Sequence, residues 1–292
     1  MTRARYTVEH ETLYRYAAPV SQSWQRLLAY RLTIDPTADE SHEAADSFGN
    51  TVTHFGLHRA HRLLRVILRC AVEVGARPAL GAAAATGAEP WETVRDGVRR
   101  QPAQDGLAPA RLAEPTRLVP LSDAAQAYAA AHLVPGRDWL EALTALMRAI
   151  HRDFTFEPGA TTVSTSVDEV LAQRSGVCQD FAHLMLACLR GHGLPARYVS
   201  GYLLTRPPPG KPRLLGADAT HAWVAAYSPR HGWVEFDPTN DQFADARYIT
   251  LAWGADFADV VPLRGVMIGG GEQQLDVSVS VIPEREDAAA AP

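Results

Sequence analysis

Between residues 5 and 75, apolar and aromatic side chains alternate with polar ones at a period of two. Tyr6, Val8, His10, Thr12, Tyr14 and Tyr16 fall in phase against Thr7, Glu9, Glu11 and Arg15, which predicts a strand with one buried face. The next run places Trp24, Leu28, Tyr30, Leu32 and Ile34 on one side and predicts a second strand. Gly49-Asn50, flanked by Phe48 and Val52, has the composition of a hairpin turn. Val66, Leu68, Cys70, Val72 and Val74 then mark a further strand. Residues 1–75 are therefore read as a β-rich N-terminal domain with no chemistry of its own.

The pattern breaks at 76–120. The Ala-Ala-Ala-Ala-Thr-Gly tract at 82–87 and the scattered Pro90, Pro102, Pro109 and Pro115 predict a linker carrying one short helix. From 121 a helical period takes over, opening a core domain over 121–268. Ser122 is placed to cap a helix running to His132, and a second over 138–152 lines up Leu140, Leu143, Met147 and Ile150. Ser166-Val-Asp-Glu169 is a capping box before a helix ending near Arg174. Phe181, Leu184, Met185, Cys188 and Leu189 form an apolar stripe on a third long helix, which Gly191, Gly193 and Pro195 terminate. Alternation returns in 220–227 and 232–237, then after Gly269-Gly270-Gly271 in Leu275, Val277, Val279 and Val281. The strand at 273–282 is expected to rejoin the N-terminal sheet, and 283–292 to be a disordered tail.

Composition narrows the function classes. The chain has 292 residues, 47% hydrophobic and 21% charged, with a formal net charge of −5 and acids and bases intermixed. That provides no field suited to a phosphate backbone, so nucleic acid is not an expected partner. No apolar stretch approaches the roughly 20 residues that cross a bilayer, so no membrane partner is expected either. Three cysteines, Cys70, Cys178 and Cys188, form neither a disulfide framework nor a paired zinc spacing. With an N-terminus that turns polar where a signal peptide needs an apolar run, the expected location is the cytoplasm.

The cysteines differ in setting. Cys188 lies within the apolar stripe and Cys70 is in phase with strand valines, so both read as small buried hydrophobes. Cys178 follows Ser175-Gly176, a turn, and sits in the first turn of its helix. There the unpaired N–H groups and the positive end of the dipole favour a thiolate and can donate to an oxyanion. Downstream, closing the 220–227 and 232–237 hairpin with Tyr227 facing His231 sets Asp237 directly opposite His221, at Cβ separations of about 4.5–5.5 Å. Taken singly, His221 could be a satisfied core histidine and Asp237 a turn residue before Pro238. Together with Cys178 they match the nucleophile, base and orienter logic of a thiol triad. A metal site made from the same three residues would lack a fourth ligand, and no cofactor is expected.

Four blocks carry a resemblance: Gly176-Val-Cys-Gln-Asp-Phe-Ala-His183, Gly193-Leu-Pro-Ala-Arg-Tyr-Val-Ser-Gly-Tyr202, Thr220-His-Ala-Trp-Val224 and Trp233-Val-Glu-Phe-Asp-Pro-Thr-Asn240. In this order they resemble the transglutaminase-like core of bacteria, whose members are also described as candidate cysteine proteases. His10-Glu-Thr-Leu-Tyr-Arg-Tyr16, Pro19-Val20 and Asp46-Ser-Phe-Gly-Asn50 are similar to the β-rich domain that precedes that core. Asp256-Phe-Ala-Asp-Val260 and the closing valine strand resemble its C-terminal segment. The resemblance implies an α+β, papain-like fold with a helix-borne cysteine packed on an antiparallel sheet. It implies Cys178 as nucleophile, His221 as general base and Asp237 as orienter, with the Cys178 N–H as one oxyanion donor. The implied substrate is a protein, peptide or peptide-like amide, taken by hydrolysis or by transamidation. The reading of another class is a binding module that keeps the fold. Gln179 and Asp180 match the motif, and a solvated first helical turn accounts for both.

Overall fold

The computed structural model of the protein describes residues 4–27, 31–75, 88–100, 109–204 and 220–283, with side chains described for 4–17 and from 31 onward. The alanine-rich tract at 82–87, Leu28, Tyr30, Pro102 and the tail beyond Pro283 lie outside these residues. The N-terminal region forms β1 (Ala4–Leu27), β2 (Leu32–Asp35), β3 (Glu40–Ala45), β4 (Thr51–Leu57) and β5 (His61–Val74). The two strands expected before residue 34 are thus one 24-residue strand followed by a short one. The register of β1 shifts between Arg15 and Val20, a stretch containing Pro19, which has no N–H to give to a ladder. The strand continues past this irregularity but changes neighbours. The hairpin turn is built on Asp46, whose Oδ1 accepts from Phe48 N at 2.8 Å and Asn50 N at 2.9 Å.

The stretch read as a linker contributes to the core. Helix α1 (Trp91–Arg100) buries Trp91, Val94 and Val98, and a 3-10 turn at Pro109–Ala113 buries Leu112. Trp91, Val94 and Val98 join the main hydrophobic cluster with Val119, so this part is packed domain rather than spacer. The sparse spacing of its apolar residues concealed that. Helices α2 (Asp123–Ala130) and α3 (Trp139–Asp153) follow, with Ser122 capping α2 and Asp138 capping α3. Strand β6 (Thr155–Phe156) precedes α4 (Val167–Gln173), which opens on the Ser166/Glu169 capping box and ends on Arg174 in the left-handed region. Strand β7 (Ser175–Gly176) pairs in parallel with β6, so Ser175-Gly176 is a short strand rather than a simple turn. Helix α5 (Cys178–Gly191) is not merely amphipathic: residues from Asp180 through Arg190 are all buried. It is enclosed by the other helices on one side and by the second sheet on the other.

That sheet is formed by β8 (Ala196–Leu203), β9 (Thr220–Ser228), β10 (Gly232–Asp237), β11 (Gln242–Phe243) and β12 (Tyr248–Gly254), in the antiparallel order β11-β10-β9-β8-β12. Ala222, Val224 and Ala226 of β9 join Phe181, Leu184, Met185 and Cys188 of α5 in the main core. Each large apolar side chain so buried is worth about 1.5–3 kcal/mol. The chain then returns to the N-terminal sheet as β13 (Leu263–Gly269) and β14 (Gln273–Pro283), both antiparallel to β1. Residues 263–268, assigned to the core from sequence, therefore lie in the N-terminal sheet. Gly269, Gly270 and Gly271 all take positive φ, a run that side chains would oppose. It lets one segment continue from β13 into β14 along the same strand.

The two sheets meet across a polar and apolar seam. Tyr6, Val8, Val279 and Val281 pack on Tyr202 and Ile249. Asn50 exchanges two hydrogen bonds with the backbone of Trp253 (Nδ2 to O, 2.8 Å; N to Oδ1, 3.1 Å), and Trp253 Nε1 donates to Phe48 O at 3.0 Å. The Asp46–Asn50 turn is thereby a latch onto β12. Among the described residues no helix is long and apolar enough to cross a membrane.

Candidate active site

Cys178 is the first residue of α5 and is half-buried, packed beside the main core. Two features fix this helix start. Thr155 and Phe156 pair with Ser175 and Gly176 just upstream. Asp180, only 3% exposed, reaches back to accept from Val177 N at 2.8 Å and from Thr161 Oγ1 at 2.6 Å. Burial pushes its carboxyl above the ordinary range, with those two donors opposing the shift. Gly176 is required here because a Cβ would stand 2.8 Å from Asp180 Oδ2 and 2.9 Å from its Cβ. The solvated role expected for Asp180 is thus replaced by a structural one: half of a capping box, set under the nucleophile candidate. The other cysteines are held away from chemistry. Burial pushes the Cys188 thiol far above its usual value and raises that of Cys70.

His221 lies at the start of β9 and Asp237 at the end of β10. The hairpin register differs from the expected one. Ser228 pairs with Gly232 and Tyr227 with Trp233, because the fully buried Ser228 remains in the strand and its Oγ accepts from Arg230 N and His231 N. The loop therefore begins one residue later than expected. Continuing this register sets Asp237 beside Trp223, and it meets His221 diagonally rather than head-on. Because strand faces repeat every two residues, both side chains still emerge on one face. His221 Nε2 and Asp237 Oδ2 are 2.7 Å apart, within the reach of diagonal neighbours.

Asp237 is completely buried and its carboxylate is held by five donors. Oδ2 takes His221 Nε2, Tyr248 Oη at 2.5 Å and Asn240 Nδ2 at 2.7 Å. Oδ1 takes Thr239 N at 2.9 Å and Asn240 N at 3.2 Å. The two readings of Asp237 are therefore both met: it organises the turn after Pro238 with one oxygen and holds the imidazole with the other. Burial would raise its pKa, but the His221 hydrogen bond and charge, with Tyr248 and Asn240, hold it below the ordinary carboxylate range. For His221, burial pulls toward the neutral form, yet the Asp237 bond and the neighbouring Cys178 thiol outweigh it and lift the pKa to about 10. With Nε2 committed to Asp237, the nitrogen left for the neighbouring Cys178 sulfur is Nδ1. The ring is walled by Trp223 and Tyr248, with centroids 6.0 Å from each. Trp223 is itself anchored through Nε1 to Glu235 Oε2 at 2.6 Å.

All three predicted residues therefore converge. Sequence reasoning missed Asn240, Tyr248 and Trp223. Asn240 was signalled by the Asp-Pro-Thr-Asn run, which has the composition of a side-chain-capped turn. Tyr248 carried no local signal. Among the described residues no group of three or more His, Cys, Asp or Glu side chains is arranged to hold a metal ion.

Comparison with known proteins sets this geometry in a family. The model of the transglutaminase-like superfamily core matches residues 126–238, and that of the bacterial transglutaminase-like N-terminal region matches 6–73. An uncharacterised protein of Mycobacterium tuberculosis is 43% identical over 305 residues, covering 97% of this chain and 94% of that one. The chain belongs to the bacterial transglutaminase-like family. This family's α+β fold is also seen in a candidate cysteine protease from Cytophaga hutchinsonii, whose crystal structure aligns with a TM-score of 0.72 at 19% identity over 98% of this chain and 93% of that one. A more local similarity, 38% over 97 residues, links it to a protein-glutamine gamma-glutamyltransferase of Pseudomonas aeruginosa, covering 32% of this chain and 14% of that protein. Within this transglutaminase-like protein, Cys178, His221 and Asp237 all fall inside the matched core, whereas Asn240 and Tyr248 lie beyond it.

Proposed function

We propose that the protein is a thiol-dependent acyl-transfer enzyme that hydrolyses a peptide or peptide-like amide through a thioester. The observation that carries this reading is the His221–Asp237 pair, 2.7 Å apart with the carboxylate fully buried, set against Cys178 at a helix start. In the reaction the Cys178 sulfur attacks the amide carbonyl, and the oxyanion that forms meets the N–H groups of the first helical turn. His221, kept as imidazolium by Asp237, gives its proton to the leaving nitrogen as the C–N bond breaks. The neutral ring then takes a proton from water, the hydroxide oxygen adds to the thioester, and the thiolate departs to restore the imidazolium–thiolate pair. Asp237 keeps its charge throughout and fixes the tautomer.

The similarity to a protein-glutamine gamma-glutamyltransferase over 97 residues favours a second reading, in which an amine rather than water takes the acyl group. The two share every step up to the thioester. The test is to incubate the purified protein and its Cys178→Ala variant with a peptide library containing glutamine, with and without a primary amine, and to follow products by mass spectrometry. Cleaved or deamidated peptides made only by the wild type support hydrolysis, and amine adducts support transamidation. The absence of any Cys178-dependent product or thioester across such a library would contradict both.

A further inference from the structure

We propose that Tyr248 is a positioning residue of this site, donating its hydroxyl to the Asp237 oxygen that holds His221 and thereby setting how strongly the carboxylate retains the imidazolium. The inference rests on the reading of His221 as the proton carrier. Tyr248 is fully buried and opens β12, on the far side of β8 and β9 from the strand that bears Asp237. Its Oη lies 2.5 Å from Asp237 Oδ2, and with His221 Nε2 and Asn240 Nδ2 it brings three donors onto one carboxylate oxygen. An oxygen with two in-plane lone pairs is saturated by such a set. Each further donor draws charge from it and leaves less for the histidine.

The hydroxyl is itself aimed from behind. Gln242 Nε2 donates to Tyr248 Oη, and Gln242 Oε1 accepts from Arg247 Nη2 at 2.8 Å. A phenol that accepts one hydrogen bond is polarised into a better donor for the next. Burial, then the charge of Asp237, keep the Tyr248 proton on its oxygen well above the usual range, so it stays a donor at any pH at which the enzyme works. Among the described residues, the titratable groups that face the pair are Cys178 from α5, His221 from β9, Asp237 from β10 and Tyr248 from β12. Arg247 stands behind Tyr248 and is paired with Asp245, and Glu235 is bonded to Trp223. From the side of the N-terminal sheet, Tyr6 Oη donates to Ala246 O at 3.0 Å, two residues before Tyr248, and fixes the entry to β12.

If Tyr248 merely filled space, removing its oxygen would leave the histidine's titration unchanged. If it draws charge from Asp237, removal makes the carboxylate a stronger partner and the imidazolium harder to deprotonate. The test is the His221 titration, read by nitrogen NMR of labelled histidine in a Cys178→Ala background, which takes the thiol out of the equilibrium. Adding Tyr248→Phe should raise the midpoint by about half a unit to one unit, a fraction of the effect of one hydrogen bond to a charged group because the lost donor acts on His221 only through Asp237. Gln242→Leu should move it the same way by less. With Cys178 intact, Tyr248→Phe should lower kcat/KM about tenfold, because the proton leaves the ring less readily. A Tyr248→Phe curve that coincides with the parent or lies below it would overturn the proposal. Where that variant does not fold, Gln242→Leu decides alone by the same criterion. The titration needs no turnover, so a protein without Cys178-dependent products sinks the acyl-transfer reading while leaving this one to be judged separately.

Discussion

The two sheets of this protein handle polar groups in opposite ways. On the N-terminal sheet the charged residues stand on the solvent face and pair across strands, as in Arg65–Glu11 at 2.7 Å and Arg69–Glu9 at 2.6 Å, with the arginine side chains half exposed. Such pairs gain little in water, typically 0–1 kcal/mol. Beneath α5 and the second sheet, by contrast, carboxylates are buried, and Asp180 and Asp237 carry two and five donors respectively. A buried carboxylate is tolerated only when so satisfied. The lesson is that burial, not number, marks where charge does chemistry. The exposed pairs decorate a scaffold, whereas the buried carboxylates fix the helix start that bears Cys178 and hold the His221 ring.

The comparison breaks most visibly at Asp180. Asp180→Ala removes the partner of both Val177 N and Thr161 Oγ1 and should destabilise the fold by about 2–4 kcal/mol, measured by chemical denaturation. It should also cut activity, since the start of α5 loses its tie to the loop at 157–165. A change below 1 kcal/mol would show that the carboxylate is as dispensable as the surface acids.

Next in size are pH responses of opposite sign, one from His183 and His10 and the other from His221. His183 accepts from Phe257 N through Nε2 at 3.2 Å, and burial, together with Arg190 and against Asp256, holds its pKa down at about 4. Its contribution is whole above the unfolded value of about 6.5 and is lost as pH falls toward 4, because the unfolded chain then binds the extra proton. His10, bonded to Tyr202 Oη at 3.0 Å across the seam, is likewise lowered by burial to about 4 and adds to the same acid loss. His221, raised to about 10, contributes fully below about 6.5, and that stability drains away as pH climbs toward 10. Thermal unfolding should therefore be most resistant near pH 6–7. His183→Gln should flatten the acid side, and His221→Gln the alkaline side. A stability profile indifferent to both substitutions would contradict the buried assignments.

A smaller effect separates the latch from the decoration. Asn50→Ala removes both bonds to the Trp253 backbone and should cost about 1–2 kcal/mol. Arg69→Ala, which removes a shorter but exposed contact, should stay within about 0.5 kcal/mol. Equal changes would mean that the Asp46–Asn50 turn is one more surface feature.

Much of this architecture was legible in the chain. Capping residues announced themselves, since Ser122 and the Ser166/Glu169 box use local chemistry that operates within three or four residues. The juxtaposition of His221 and Asp237, and the place of Cys178 at a helix start, were legible because one hairpin and one helix terminus set them. What escaped depended on contacts distant in sequence. The latch of Asn50 onto Trp253 spans 203 residues, and nothing near Tyr248 indicates that its hydroxyl will reach Asp237. The hairpin register was misjudged because Ser228 looks like a loop residue, yet its buried hydroxyl serves the turn from inside the strand. Asp180 was misjudged because a polar residue at a helix start reads as solvated until the loop carrying Thr161 covers it. In the stretch read as a linker, Trp91, Val94 and Val98 sit beside unpatterned sequence, and only packing shows that they belong to the core.

The central claim is that His221 and Asp237 act on Cys178 and on no other thiol. Its most direct measurement is the rate of iodoacetamide alkylation at each cysteine, mapped by peptide mass spectrometry from pH 5 to 9, in the wild type and in Asp237→Asn. Asparagine preserves the side-chain shape but removes the charge that holds the imidazolium, and it can offer an N–H where the histidine needs an acceptor. The account predicts that Cys178 reacts first, well below pH 8, while Cys70 and Cys188 stay protected. In Asp237→Asn the Cys178 curve should move to higher pH, and kcat/KM should fall by at least about tenfold with the fold retained. Modification mainly at Cys70 or Cys188, or superimposable Cys178 curves with activity preserved, would contradict it.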